Sequence, residues 1–144
     1  IKQISKNTTV SFISSKLRAG TEWKYKVVAY KKHGNSVVKN VGSQISSVTL
    51  PTAPVVVIRA GKGSVTLGWN GVTGADGYEV YMRTTKKGKS TKIATLKKAS
   101  KVKYTKKGLA KNKTYYVNVR AFKKDAKGRK YYSSYSTVKA VKAK

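Results

Sequence analysis

The chain has 144 residues, and its 33 lysines and arginines against four acids give a formal charge of +29. With no cysteine it can hold neither a disulfide nor a thiolate metal site. No apolar run approaches the roughly 20 residues that a membrane-crossing helix needs, and so strong a positive field attracts polyanions and repels other copies of itself.

The first stretch of the chain is repeated later. LRAGTEWKYKVVAY at Leu17 to Tyr30 returns as LAKNKTYYVNVRAF at Leu109 to Phe122, an offset of 109 − 17 = 92 residues. The same offset pairs Ile1 with Ile93, Ile4 with Leu96, Val10 with Val102, Phe12 with Tyr104, Trp23 with Tyr115, Val27 with Val119 and Ala29 with Ala121. It runs without a gap from Ile1 to Lys32. A 92-residue period does not fit twice into 144, so the second copy is expected whole and the first only as its C-terminal half. Tyr25, Val27 and Ala29 would then present an apolar face with no sheet opposite, a surface expected to be covered by strands outside this sequence, with completion by a second copy as the alternative. His33, the sole histidine, falls in the turn KKHGNS with no acid near it in sequence. That composition builds no Ser–His–Asp or Cys–His set.

The segment Leu50-Pro51-Thr52-Ala53-Pro54 holds both prolines and marks a boundary, predicted to be short and semi-rigid. A first strand is predicted near Val55 to Arg59. Gly61-Lys62-Gly63 reads as a hairpin turn, since neither the longer glycine pattern nor a following helix of a phosphate loop is present. SVTLGW at Ser64 to Trp69 puts Val65, Leu67 and Trp69 on one face, and YEVYM at Tyr78 to Met82 does the same for Tyr78, Val80 and Met82. Further on, Lys101 and Lys103 alternate with Val102 and Tyr104. Tyr115, Val117, Val119 and Ala121 then share a face, and a loop at Asp125 to Arg129 precedes the last strand. Period-two runs rich in β-branched and aromatic residues, broken by glycine turns, predict about seven short strands. That pattern is all-β, an antiparallel β-sandwich.

Leu109, Tyr115, Val117, Val119 and Ala121 at these spacings resemble the E–F signature of fibronectin type III modules. The resemblance makes Tyr115 the corner tyrosine, whose hydroxyl bonds back to the E–F backbone. It makes Trp69 the buried tryptophan of strand B, Tyr78-x-Val80 strand C, and Pro54 the proline that opens strand A. It implies an immunoglobulin-like fold, with 51–144 one complete module and 1–50 strands C′, E, F and G of another. GADGYEVYMR and YYSSYSTVKAVK are similar to modules repeated in secreted or wall-attached proteins of Gram-positive bacteria. Three features depart from the pattern: Trp23 replaces the corner tyrosine in the first copy, Ala19 and Lys111 stand where proline is common, and no Arg-Gly-Asp occurs.

No enzyme and no cofactor are expected. Asp76 and Glu79 are the only acids close in sequence, and they read as a turn residue and a strand charge paired with a basic neighbour. Two carboxylates make a poor calcium site. Two surfaces remain. Lys97, Lys98, Lys101, Lys103, Lys106 and Lys107 crowd one region and are expected to form a basic face and edge that also blocks strand-to-strand pairing. Tyr81, Arg83, Tyr116 and Arg120 alternate with core positions, so they are expected to face out as rings flanked by cations. The sequence thus reads as a spacer or adhesion segment of a larger secreted or wall-associated protein. Its expected partners are neighbouring modules and an anionic polymer: wall teichoic acid, a sulfated glycan or, ranked below these, a nucleic acid. A carbohydrate-gripping accessory module and a nucleic-acid-binding protein are the rival readings.

Overall fold

The computed structural model describes residues 3–4 and 11–144, and every described element is a β-strand. In the second part of the chain, β-branched and aromatic residues at every other position build two facing sheets. One joins three strands in the spatial order Val56–Gly61, Ser64–Trp69 and Lys103–Lys107. In chain order these are β5, β6 and β9. The other contains β7 (Gly77–Arg83), β8 (Thr91–Leu96), β10 (Thr114–Lys124), β11 (Lys130–Tyr132) and β12 (Lys139–Lys142). β10 is the spine of that sheet. It pairs with β7 over seven residues on one side, and with β12 and then β11 on the other.

The predicted inward positions form the core. Val65, Leu67 and Trp69 from β6 meet Tyr78, Val80 and Met82 from β7 and Tyr115, Val117, Val119 and Ala121 from β10. Each large apolar side chain so buried contributes about 1.5–3 kcal/mol. The gap between β11 and β12 is closed by side chains. Ser133 donates its N–H to the Ala121 carbonyl at 3.0 Å, and its Oγ accepts from Ala121 N–H at 2.9 Å. Ser136 does the same for Val119, at 2.7 and 3.0 Å. The backbone of β10 therefore stays satisfied where its neighbour leaves the ladder.

The corner tyrosine is in place, with the Tyr115 hydroxyl accepting from Ala110 N–H at 3.1 Å. Asn112 lies between these residues with φ of 64°, and its counterpart 92 positions earlier, Gly20, has φ of 61°. Both copies thus make the same left-handed turn. The repeat does not preserve the cap, because the indole Nε1 of Trp23 is buried without a partner.

The first copy has four short strands: β1 (Glu22–Lys26), β2 (Tyr30–His33), β3 (Ser36–Lys39) and β4 (Gln44–Val48). β1 pairs with β4 and β2 with β3. Of the strands expected before them, the C′ position falls on 1–10, mostly outside the described residues. Residues 11–21 contain no strand, so the E strand expected in the first copy is not formed; no sheet lies beside it for it to join among the described residues. No second sheet covers β1 and β4 among the described residues, and Val27 and Ile45 are 80% and 65% exposed. The two copies meet where the turn at Gly20 abuts the loop at Gly74. A Cβ on Gly20 would lie 2.7 Å from the Gly74 carbonyl carbon, so this approach requires glycine at that position.

Candidate functional site

Two outer faces of the sandwich carry the candidate residues, and they differ in how their charge is used. On the β7–β10 face the antiparallel register sets Arg83 beside Tyr116, Tyr81 beside Asn118 and Glu79 beside Arg120. Alternation turns these side chains away from the core, but exposure does not follow from it. Glu79 is fully buried, Tyr81 is 8% exposed, and Phe122, on the same side of β10 as Arg120, is fully buried over Gly77.

Glu79 organises this face. Its Oε2 accepts from the Tyr81 hydroxyl at 2.7 Å and from Arg120 Nη2 and Nε at 2.9 and 3.2 Å. Its Oε1 takes Lys130 at 3.0 Å and Lys92 at 3.4 Å. Burial alone would favour the protonated acid. The hydrogen bonds from Tyr81, Arg120 and Lys130 outweigh it and hold the carboxyl at about 2. Burial, and then the bond to Glu79, push the Tyr81 phenol well above its usual range. Arg120 lies 3.6 Å from the ring centre of Tyr132, with Tyr81 and Tyr135 at 5.2 and 5.1 Å. It is a strut inside a cluster of rings and does not act as a free cation.

The expected stacking surface of Tyr81, Arg83, Tyr116 and Arg120 is therefore divided. Tyr81 and Arg120 are committed to Glu79. Arg83 and Tyr116 stay half-buried, 5.8 Å apart, with Arg83 also bonded to the Thr85 and Lys86 carbonyls and to Ser90. Tyr135, 46% exposed, is the most accessible ring of the cluster. Tyr81 is two residues from Glu79, but its basic partners lie 13 to 51 residues away in sequence, beyond the reach of a local motif.

The six lysines do not form one face. Lys97 and Lys98 lie in the exposed turn after β8, and Lys101 follows them. Lys103 and Lys107 point outward from β9. Lys106 stands opposite Val65 in the register, on the core side of the strand, and is half-buried. Alternation along β9 itself separates it from its neighbours. Arg59, which the sequence reading left out of the site, points outward on β5 in the same sheet. The alternation of Val56 and Ile58 with Val57 and Arg59 was its signal.

Three of the four acids are used internally. Besides Glu79, Asp76 pairs with Lys123 at 2.9 Å and accepts Lys124 N–H at 2.7 Å, while Asp125 closes its own loop through Arg129 at 2.7 Å. Glu22 makes no ion pair among the described residues, and neither does any of the six lysines. An open cleft of about 500 Å³ lies where the two copies meet, with Arg18, Lys123 and Lys124 set against Glu22 and Asp125. No group of three or more potential metal ligands occurs among the described residues. His33 is exposed at the end of β2. No described helix is long and apolar enough to cross a membrane.

This architecture is the immunoglobulin-like sandwich of fibronectin type III modules, a fold used chiefly for non-catalytic modules of multidomain proteins. A fibronectin-III-like protein from Clostridium thermocellum superposes with a TM-score of 0.50 at 28% identity, covering 65% of this chain and 91% of that one. A two-module segment of chicken tenascin gives a TM-score of 0.65 at 22% identity, covering 88% and 67%. A β-1,2-glucanase from Parabacteroides distasonis gives 0.54 at 16%, covering 74% of this chain and 17% of the enzyme. No protein-family profile and no curated protein matches the sequence.

Proposed function

We propose that this chain is a non-catalytic spacer or adhesion segment of a larger extracellular or wall-associated protein, tethered to anionic polymers by its surface charge. The observation that carries this reading is the imbalance of charge. Four acids face 33 basic residues, and three of those acids are already consumed in ion pairs with five cations. The other described lysines enter no ion pair among the described residues and can take polymer phosphates or sulfates and release their counterions. The test is retention of the chain on immobilised teichoic acid, heparin, DNA and a neutral glycan over a range of salt. Retention on the polyanions that falls steeply with salt is expected. No retention on any polyanion at about 0.15 M salt would overturn the tether.

A second reading, a module that grips neutral carbohydrate for an attached enzyme, draws on the exposed ring of Tyr135, the half-buried ring of Tyr116 and the likeness to a glucanase. It predicts salt-independent retention on the neutral glycan, lost when both tyrosines become alanine.

A further inference from the structure

We infer that the outer face of the β5–β6–β9 sheet is the surface on which the polymer lies, and that the polymer is a phosphate- or sulfate-bearing chain of sugars or polyols without bases. This inference rests on the tether reading and gives it a place and a ligand class.

The register defines the face. One cross-strand row holds Val57, Gly68 and Lys103; the next Arg59, Thr66 and Thr105; the third Gly61, Ser64 and Lys107. Lys103 and Lys107 are four residues apart on one strand, about 13 Å, and Arg59 stands two strands across, about 10 Å from Thr105. Three exposed cations therefore border a floor of glycines and small hydroxyls, with the exposed Val57 at one corner. Gly68, Gly61 and Ser64 raise almost nothing above the sheet, so the cation heads stand over a shallow trough. The Thr66 and Thr105 hydroxyls, 2.9 Å apart, line its centre and can exchange hydrogen bonds with polymer hydroxyls.

Charge selects this face over the opposite one. β5, β6 and β9 contain no acid, and Arg59, Lys103 and Lys107 enter no ion pair among the described residues. On the β7–β10 face Arg120, Lys92 and Lys130 are spent on Glu79. The chemistry of the floor selects the polymer. The aromatic residues of these three strands, Trp69 and Tyr104, both lie on the core side, so the face offers no ring on which a base could stack. Its single arginine gives little for reading base edges.

The test compares two triple variants of the full chain with equal loss of charge. One carries Arg59→Gln, Lys103→Gln and Lys107→Gln. The other carries Lys124→Gln, Lys127→Gln and Lys139→Gln, all exposed and all off the face. Thermal midpoints within about 2 °C of the parent verify that both fold. The probes are poly(glycerol phosphate), heparin and a single-stranded oligonucleotide at several salt concentrations. The face variant is expected to lose about tenfold or more on the first two probes, with a salt slope shallower by about two to three units. The control should lose under threefold. Equal losses in the two variants would overturn the face while leaving the tether intact. A parent chain that ignores all three probes would overturn both. A parent that prefers the oligonucleotide, and loses that preference in the face variant, would overturn the polymer class alone.

Discussion

Val27 and Val119 occupy the same place in the repeat, yet one is 80% exposed and the other fully buried. Val119 lies inside β10 and Val27 just beyond the end of β1, yet the sequence around each has the same alternation and nearly the same side chains. The difference comes from what each strand meets. β10 has β7 along one edge and β6 across the core, whereas β1 has only β4 among the described residues. The comparison extends to single atoms. Ser136 caps Val119 N–H with its hydroxyl, whereas in the first copy the close neighbour of the Val27 carbonyl is Gly42, which has no side chain to offer. Tyr115 finds Ala110, whereas Trp23 buries an unpaired Nε1. A strand sequence thus specifies which face is apolar, and the second sheet decides whether that face becomes a core.

The largest break in the comparison should come at Glu79. Its clasp on Arg120 ties β7 to β10, and Val28 stands at the equivalent of Arg120 in the first copy (120 − 92 = 28). Glu79→Gln removes the only acid among three cations and should cost about 3–5 kcal/mol, read as a lower urea midpoint of the full chain. The same clasp predicts acid sensitivity. The folded carboxyl titrates at about 2, below its ordinary 4.5, so its stabilisation is fully present above pH 4.5 and is lost as the pH falls toward 2. The contribution is about 3 kcal/mol, and the Gln variant should show a flatter stability profile through that window. An unchanged profile would place the acid sensitivity elsewhere.

A smaller effect separates the two caps. Tyr115→Phe should cost about 1 kcal/mol, because Ala110 N–H loses its acceptor. Trp23→Phe removes a donor that has no partner and should leave the urea midpoint within about 0.5 kcal/mol of the parent. Equal costs at the two positions would mean that the caps are equivalent after all.

Much of this was legible in the sequence. Period two placed Val65, Leu67, Trp69, Val80 and Val119 inward, and the offset of 92 placed the corner residue. The outer faces were harder. Alternation shows that Tyr81 and Phe122 leave the core side, but it cannot show that Gly77 makes room for Phe122 or that Tyr132 and Tyr135 fold against Arg120. Lysine density along the chain likewise could not separate Lys106 from Lys103 and Lys107, nor bring Arg59 to them. Those assignments depend on cross-strand register, which is set by pairing between segments some 40 residues apart.

Residues 51–144 hold both sheets of a sandwich, while 11–50 repeat only part of the strand pattern, with no facing sheet among the described residues. Amide hydrogen exchange at Val119 and Val27 of the full chain tests this difference most directly. Val119 should exchange only through global unfolding, at least about a thousandfold more slowly than Val27 relative to their intrinsic rates. Comparable protection at the two positions would contradict it, because Val27 would then have a cover that the described residues do not supply.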